Sequence, residues 1–316
     1  MVYRIGSFNM LKFSLQSDDN IRKSMSTIAD IINSNFDIVA IQEILTPNAL
    51  KYQLLPYLGN RWEGCWGQPR SKSPIASEGY AFVWNTSRFE LAKDSDFNGQ
   101  EYIVQPQIVD AYHTIPGYDR LLRDPLYGRF IPKNGPFFEL RLINTHVRFS
   151  VSSNDDTPSS QTESGIVLRR NEVETLIKQI CEKKATERKG NNRVAYTILL
   201  GDYNLNLKCG LNPYPYVQEY YEIFDGPVKK NYRTVQTEKT TLKQQVSDND
   251  DESEKIDKYA NNYDHFTYDE TFLVDNSGIS LVAHRINTLN DYCNGDVEKH
   301  RLEISDHVPI VLEMKF

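Results

Sequence analysis

The chain has 316 residues, 39% of them hydrophobic and 25% charged, with a formal net charge of −7. This is a soluble, globular mix, and a chain of this length buries roughly three quarters of the surface its unfolded form exposes, so it needs no disulfide staples. The acidic balance argues against a broad electropositive nucleic-acid surface, but not against a site where a bound cation supplies positive charge locally.

The opening MVYRIGSFNM has no apolar run of signal-peptide length, and no later stretch approaches the ~20 apolar residues of a membrane span. Cys65, Cys181, Cys209 and Cys293 lie far apart, without CxxC or Cys/His metal spacing. The expectation is a cytoplasmic chain with free thiols.

Val2 to Phe8 reads as a strand. Ile21, Met25, Ile28 and Ile32 then recur at helical spacing behind a cap at Asp19 or Asn20. Buried-type strands are expected at Asp37–Ile41, Gly79–Trp84 and Phe137–Thr145. A second amphipathic helix spans Arg169–Cys181, with Val173, Leu176, Ile177 and Ile180 on one face. Val194–Leu200 is a strand running into GDYN. Tyr263–Tyr268 and Ser280–His284 follow as strands, and His307–Met314 is the last. Many strands and few long helices predict an α/β (α+β) protein with sheet packed on sheet and helices outside. Two stretches, near 150–165 and 243–262, are polar, and the second holds the acidic run Asp248–Glu254, which reads as a solvated loop. Because the strand pattern continues on both sides, neither stretch reads as a linker, and residues 1–316 are expected to form a single domain.

Polar residues end apolar strands in five places: Asn9, Gln42–Glu43, Asn144–Thr145–His146, Asp202 with Asn204, and Asp306–His307. A strand end is where a rigid sheet presents side chains to a cleft. Carboxylates and amides are the oxygen ligands of a hard cation such as Mg²⁺, and Glu43, Asp202, Asn204, Asp306 and Asn9 could hold one or two such ions. His146 and His307 add groups that move protons near neutral pH. Singly, each has a duller reading: Asn9 as a cap, Asp202–Tyr203–Asn204 as a plain turn, Ser305–Asp306 as a turn signal, either histidine as a structural one. The joint pattern shifts the balance.

Taken in order, SFN (7–9), IQE (41–43), EGYAFVW (78–84), LINTH (142–146), GDYN (201–204), YDHF (263–266) and SDHVPI (305–310) resemble the endonuclease/exonuclease/phosphatase superfamily, the deoxyribonuclease-I-like group. GDxN and SDH are weak alone; their order and spacing over residues 7 to 310 make the resemblance specific. It implies a four-layered sandwich of two mixed β-sheets flanked by helices. It implies Mg²⁺ (or Mn²⁺), with Glu43 as the main metal-binding carboxylate, Asn9 beside it and Asp306 as a second metal-side acid. Asp202 and Asn204 match the pair that orients the attacking water and the phosphate. His307 matches the histidine at the scissile phosphate, and Asp264 the aspartate that orients it. Glu78 matches a glutamate that hydrogen-bonds the histidine matching His146, the candidate acid for the leaving oxygen. Arg123, in RDPLYGRF, resembles a phosphate-contacting arginine. His265 departs from the residue types of several relatives, and the stretch 243–262 is longer than in many, which bears on substrate access.

The activity expected from this resemblance is a metal-dependent phosphodiesterase, an endonuclease hydrolysing DNA by in-line attack of water. Three other readings stand beside it: a phosphatase or lipid phosphodiesterase acting on inositol phosphates or sphingomyelin, an abasic-site repair endonuclease, and a non-catalytic binding module.

Overall fold

The computed structural model describes residues 1–15, 23–69, 78–109, 121–147, 165–187, 193–206, 232–236, 238–244, 257–269 and 278–316. The acidic run Asp248–Glu254, Cys209, the expected caps Asp19 and Asn20, the helical position Ile21, and all but the last residue of the 150–165 stretch lie outside them.

β1 (Val2–Phe13) leads through α1 (Met25–Asn35) to β2 (Ile38–Ile44). A π-helical turn, Ala49–Leu54, runs into α2 (Leu55–Leu58), followed by β3 (Trp62–Gly67) and β4 (Gly79–Asn85). Short strands β5 (Phe89–Leu91), β6 (Lys93–Ser95), β7 (Glu101–Ile103) and β8 (Gln107–Ile108) precede β9 (Leu126–Pro132) and β10 (Phe138–His146). α3 (Gly165–Thr175) continues through a π-helical stretch, Leu176–Cys181, into α4 (Glu182–Thr186). Then come β11 (Val194–Asp202), β12 (Tyr232–Val235), β13 (Asp264–Asp269), β14 (Ser280–Arg285), α5 (Thr288–Cys293), α6 (Val297–Glu303) and β15 (Ile310–Lys315).

One sheet has the order β14-β15-β1-β2-β4-β3, and the other β12-β13-β11-β10-β9-β5, with β8 also on β9. Each is mixed in the same way: one parallel pair, β1–β2 or β10–β11, among antiparallel neighbours. A parallel pair needs a long crossover, which α1 and α3 supply.

Alternation along the strands divides the core into three apolar layers. Tyr3, Ile5, Ile38, Ala40, Phe82, Leu140, Leu142, Ile198, Leu200, Phe266 and Leu312 fill the space between the sheets. The other face of the first sheet, with Phe8, Val39 and Ile41, packs under α1 and the 49–58 segment. The other face of the second, with Ile143 and Leu199, packs under Val173, Leu176, Ile177 and Ile180, the helix face expected from sequence. Helix, sheet, sheet, helix is the four-layered sandwich.

Several boundaries differ from expectation for definable reasons. α1 starts at Met25 with Ser24 as its cap, because Ser24 N–H is held by Glu303 O at 2.7 Å while Ser24 O accepts the first helical bond from Ile28. β10 and β11 run on to His146 and Asp202, since their ladder continues through the pairs Thr145–Gly201 and His146–Asp202. The candidate site residues there are the last rungs of a ladder, not the first loop residues. β15 starts at Ile310 rather than His307, because Pro309 has no N–H to donate and His307 instead bridges to Thr241. β9 is missed by sequence pattern although every residue in it is buried. Arg129 at its centre disguises it; Glu139 holds that guanidinium at 2.8 Å and Asp94 at 2.7 Å. His265 does not bear on substrate access: it is fully buried and donates Nε2–H to the carbonyls of Leu205 and Asn262.

Candidate active site

The site forms where the inter-sheet faces stop being apolar. On β10 the inward series is Phe138, Leu140, Leu142, then Asn144 and His146; on β11 it is Tyr196, Ile198, Leu200, then Asp202. β13, running the other way, gives Tyr268, Phe266, then Asp264. In the first sheet, Tyr3 and Ile5 lead through Ser7 to Asn9, Ile38 and Ala40 lead to Gln42, and Trp84, Phe82 and Tyr80 lead back to Glu78. All six series end at the same mouth of the sandwich, and period-2 alternation puts their polar members on one side.

Beneath the mouth, a buried amide pair locks the sheets together. Gln42 Nε2 donates to Asn144 Oδ1 at 2.8 Å, and Asn144 Nδ2 donates to Ile41 O and Ala81 O, both at 3.0 Å. Fully satisfied buried amides are directional, so they fix the offset of one sheet against the other.

Above them, several contacts again pair one sheet with the other. Asn9 Nδ2 donates to Glu43 Oε1 and to Asp202 Oδ2, both at 3.0 Å. Glu78 Oε2 lies 3.1 Å from His146 Nδ1. His307 Nδ1 lies 2.8 Å from Asp264 Oδ2. Nε2 of His146 and Nε2 of His307 each lie 3.6 Å from Asp202 Oδ2. Asp202 Oδ1 accepts from Asn204 N–H at 2.8 Å.

Backbone strain gathers here. Among the described non-glycine residues, Glu43, Asn204, Leu11 and Lys12 have φ of 61°, 49°, 41° and 48°. Left-handed backbone at such residues costs energy and persists only where the surroundings over-determine it. A bulge between Ile41 and Ile44 and the turned backbone at Glu43 break the alternation that would otherwise carry Glu43 outward with Ile41. A second bulge between Asn9 and Phe13 brings Lys12 N–H to Glu43 Oε2 at 3.0 Å. Gly201, at φ 144°, has to be glycine, because a Cβ there would sit 1.9 Å from Thr145 O.

Electrostatically, the surroundings of the two histidines favour their protonated forms. Burial opposes the charge on His146, but the Glu78 carboxylate 3.1 Å from its Nδ1 and the charge of Asp202 outweigh it and raise its pKa. Burial likewise opposes the His307 imidazolium, and the charges of Asp264 and Asp202 raise it well above the ordinary value. Burial raises the Asp202 carboxyl, with His307 and His146 pulling the other way. Glu78 is lowered: burial is outweighed by the His146 hydrogen bond and the charges of His146 and Arg123.

Not every expected residue takes its expected place. Arg123 is buried and turned to Glu78, with Nη2 2.7 Å from Glu78 Oε2 and Nη1 donating to His146 O at 3.4 Å. It clamps the Glu78–His146 pair. Asn9 turns its N–H group to the two carboxylates while its Oδ1 accepts from Leu11 N–H at 3.0 Å, so its oxygen does not face Glu43. Asn204 Nδ2 donates to Val147 O at 2.8 Å. Asp306 stands at the rim, a quarter exposed and 3.8 Å from Arg301. Two contributors went unnoticed in the sequence. Tyr80 Oη accepts from His146 N–H at 3.0 Å, and Ser305 Oγ donates to Asn9 O at 2.7 Å while accepting from His307 N–H at 3.1 Å. The parity of Tyr80 with Phe82 and Trp84 was the legible signal for the first.

Glu43, Glu78 and His146 each offer a ligand atom, and these lie within 4.8 Å of one another. Carboxylates without thiols suit Mg²⁺ or Mn²⁺. Arg123 occupies Glu78, so Glu43 is the carboxylate of this group best placed to hold a cation.

Neither protein-family profiles nor curated proteins give a match to this chain. Solved structures do. ANGEL2, described as a 2′,3′-cyclic phosphatase in complex with adenosine-2′,3′-vanadate, superposes with a TM-score of 0.57 at 14% identity, covering 100% of this chain and 96% of its own. TDP2 from D. rerio, complexed with single-strand DNA product, gives 0.57 at 13% identity, covering 100% and 99%. An endonuclease/exonuclease/phosphatase family protein from Leptotrichia buccalis C-1013-b gives 0.54 at 14%, covering 99% and 100%. The fold of this chain is the deoxyribonuclease-I-like sandwich that these structures share.

Proposed function

We propose that the protein is a divalent-metal-dependent phosphodiesterase that hydrolyses a nucleic-acid backbone, with DNA as the first substrate to try. The observation that carries this reading is the pair of histidines aimed at one carboxylate oxygen, each backed by its own acid. Glu43 would hold the cation; when bound, a divalent ion neutralises charge on the phosphate oxygens.

The chain's own residues do the rest. Asp202 orients a water in line with the scissile bond and takes its proton, a role suited to a carboxyl whose basicity burial has raised. Asn204 N–H and Asn9 Nδ2 fix the two Asp202 oxygens. The water oxygen bonds to phosphorus as the bond to the leaving oxygen breaks. His307, held by Asp264, donates from Nε2 to a non-bridging oxygen that gains charge. His146, kept protonated by Glu78, gives its Nε2 proton to the leaving oxygen. A nucleoside alkoxide is a poor leaving group, and a positioned acid of this kind is what its departure needs.

The net charge of −7 implies modest affinity for a polyanion. A phosphatase acting on nucleotide ends is the second reading, supported by the description of the ANGEL2 structure. The test is a substrate panel with purified protein in Mg²⁺, Mn²⁺ and EDTA: duplex and single-stranded DNA, abasic duplex, RNA, 2′,3′-cyclic phosphate ends, inositol phosphates and sphingomyelin. Cleavage of DNA that EDTA and Glu43→Gln both abolish is the expected result. Hydrolysis of only the cyclic ends or only the lipid substrates would replace the nuclease reading, and full activity in EDTA would remove the metal.

A further inference from the structure

One hydroxyl, Ser305 Oγ, ties the end of β1 to His307: it donates to Asn9 O at 2.7 Å and accepts from His307 N–H at 3.1 Å. His300, in α6, grips Ser305 at both of its backbone groups. Ser305 N–H donates to His300 O at 2.9 Å, and His300 Nδ1–H donates to Ser305 O at 2.6 Å. Burial keeps the His300 ring neutral, depressing its pKa to about 4. A carbonyl only accepts, so Nδ1 carries the single ring proton and Nε2 is an acceptor. Thr288 Oγ1, at the start of α5, lies 2.8 Å from that Nε2 and donates to it. Thr288, His300 and Ser305 are all fully buried, so a bond lost here leaves a group unsatisfied rather than hydrated. With its N–H and C=O both held, the backbone on either side of the Ser305 Cα cannot turn freely, and Oγ keeps its aim.

We propose that His300, set in one tautomer by Thr288, is a positioning residue that aims Ser305 Oγ and thereby holds His307 and Asn9 in place. The inference rests on the catalytic reading of His307 above. Asn9 Nδ2 meets Glu43 Oε1 and Asp202 Oδ2, and His307 Nδ1 meets Asp264 Oδ2, so a shift of Ser305 reaches both sheets. A displacement of about 1 Å in such a constellation costs on the order of a hundredfold in rate.

The experiment compares the full wild-type chain with Thr288→Val, Thr288→Ser, His300→Phe and His300→Asn. One readout is kcat and KM on duplex DNA in Mg²⁺. The other, taken without substrate, is the low-field proton resonance of His307 Nδ1–H in its bond to Asp264, identified by its loss in Asp264→Ala. Thr288→Val is nearly isosteric but cannot donate, and His300→Phe keeps a ring without nitrogens. Both should lower kcat about tenfold or more per folded molecule with KM little changed. Both should also broaden or shift the resonance, as a loosened bond exchanges its proton faster. Thr288→Ser restores the hydroxyl, and the amide nitrogen of His300→Asn can stand where Nδ1 stood, so each should recover most of both signals. A merely structural role would lower the melting temperature and leave kcat per folded molecule and the resonance unchanged, and that result overturns the proposal. So does loss of the fold in both Thr288→Val and His300→Phe, or a Thr288→Ser variant that recovers nothing. If the wild type cleaves no DNA, the nuclease reading fails, and the resonance alone decides whether His300 positions His307.

Discussion

His146 and His307 face each other across one carboxylate oxygen, each with Nε2 3.6 Å from Asp202 Oδ2. Three ionisable groups in such contact titrate as a unit, so the protonation state of the site belongs to the cluster rather than to any one member.

The pH dependence follows from the directions of these shifts. His146 and His307 have folded pKa values raised above the ordinary one. Their contribution to stability is therefore fully present below about pH 6.5 and is lost as pH rises through the folded values. Melting temperature in EDTA should fall over that alkaline range, and His307→Gln should flatten the fall. Catalysis should lose its acid over the same range. Glu78→Gln removes the carboxylate charge that raises His146, so the alkaline limb of the kcat profile should move to lower pH. An unmoved limb would exclude His146 as the titrating acid.

Arg123 tests what the buried clamp is for. With its guanidinium on Glu78 and on His146 O, Arg123→Met should lower kcat with little change in KM. Arg123→Met/Glu78→Gln should be little worse than the slower single, as expected of groups acting together. A raised KM with unchanged kcat would instead make Arg123 a phosphate contact.

Asp202 should show a trade between activity and stability. Burial raises its carboxyl, and an acid whose folded pKa is raised opposes folding when ionised above its unfolded pKa. Asp202→Asn relieves that cost at neutral pH while removing the group that takes the proton. The variant should lose a hundredfold or more in kcat and melt higher than the wild type in EDTA. Near-normal turnover would reduce Asp202 to a turn residue.

At the far end of β10, Glu139 is fully buried between Arg129 and Arg141, with Arg129 Nε and Arg141 Nε both 2.8 Å from its Oε1. Removing one partner of a buried ion cluster leaves uncompensated charge, a loss of about 3–5 kcal/mol. Glu139→Gln should therefore lower denaturant stability by that order. The site lies about 20 Å away along the strand, so kcat per folded molecule should hold. A fall in kcat as large as that in stability would couple the two ends.

Much of this was legible because the chemistry interrupts alternating patterns. Leu140–Leu142–Asn144–His146 and Ile198–Leu200–Asp202 read as apolar faces that turn polar at one end. Asp264 and His307 were legible by their order in the chain. What alternation does not carry is where a side chain turns once the backbone leaves it. The left-handed φ at Glu43 and the two bulges cannot be read from residue type, and neither can the turn of Arg123 toward Glu78. β9 was hidden by Arg129, whose charge looks exposed until Glu139, on the neighbouring strand, is placed beside it.

The contacts across the mouth make catalysis a report on tertiary order. Asn9, Gln42, Glu78 and His307 ride on or beside the first sheet, and Asp202, Asn144, His146 and Asp264 on the second. Neither sheet carries a working set alone. A compact state that kept both sheets but let them slide would retain its far-ultraviolet dichroism and lose every one of these pairs, as molten globules lose specific packing before secondary structure. Under mild acid or denaturant, turnover should vanish before helix and strand content does, which makes the reaction a finer gauge of this protein's integrity than its backbone spectrum.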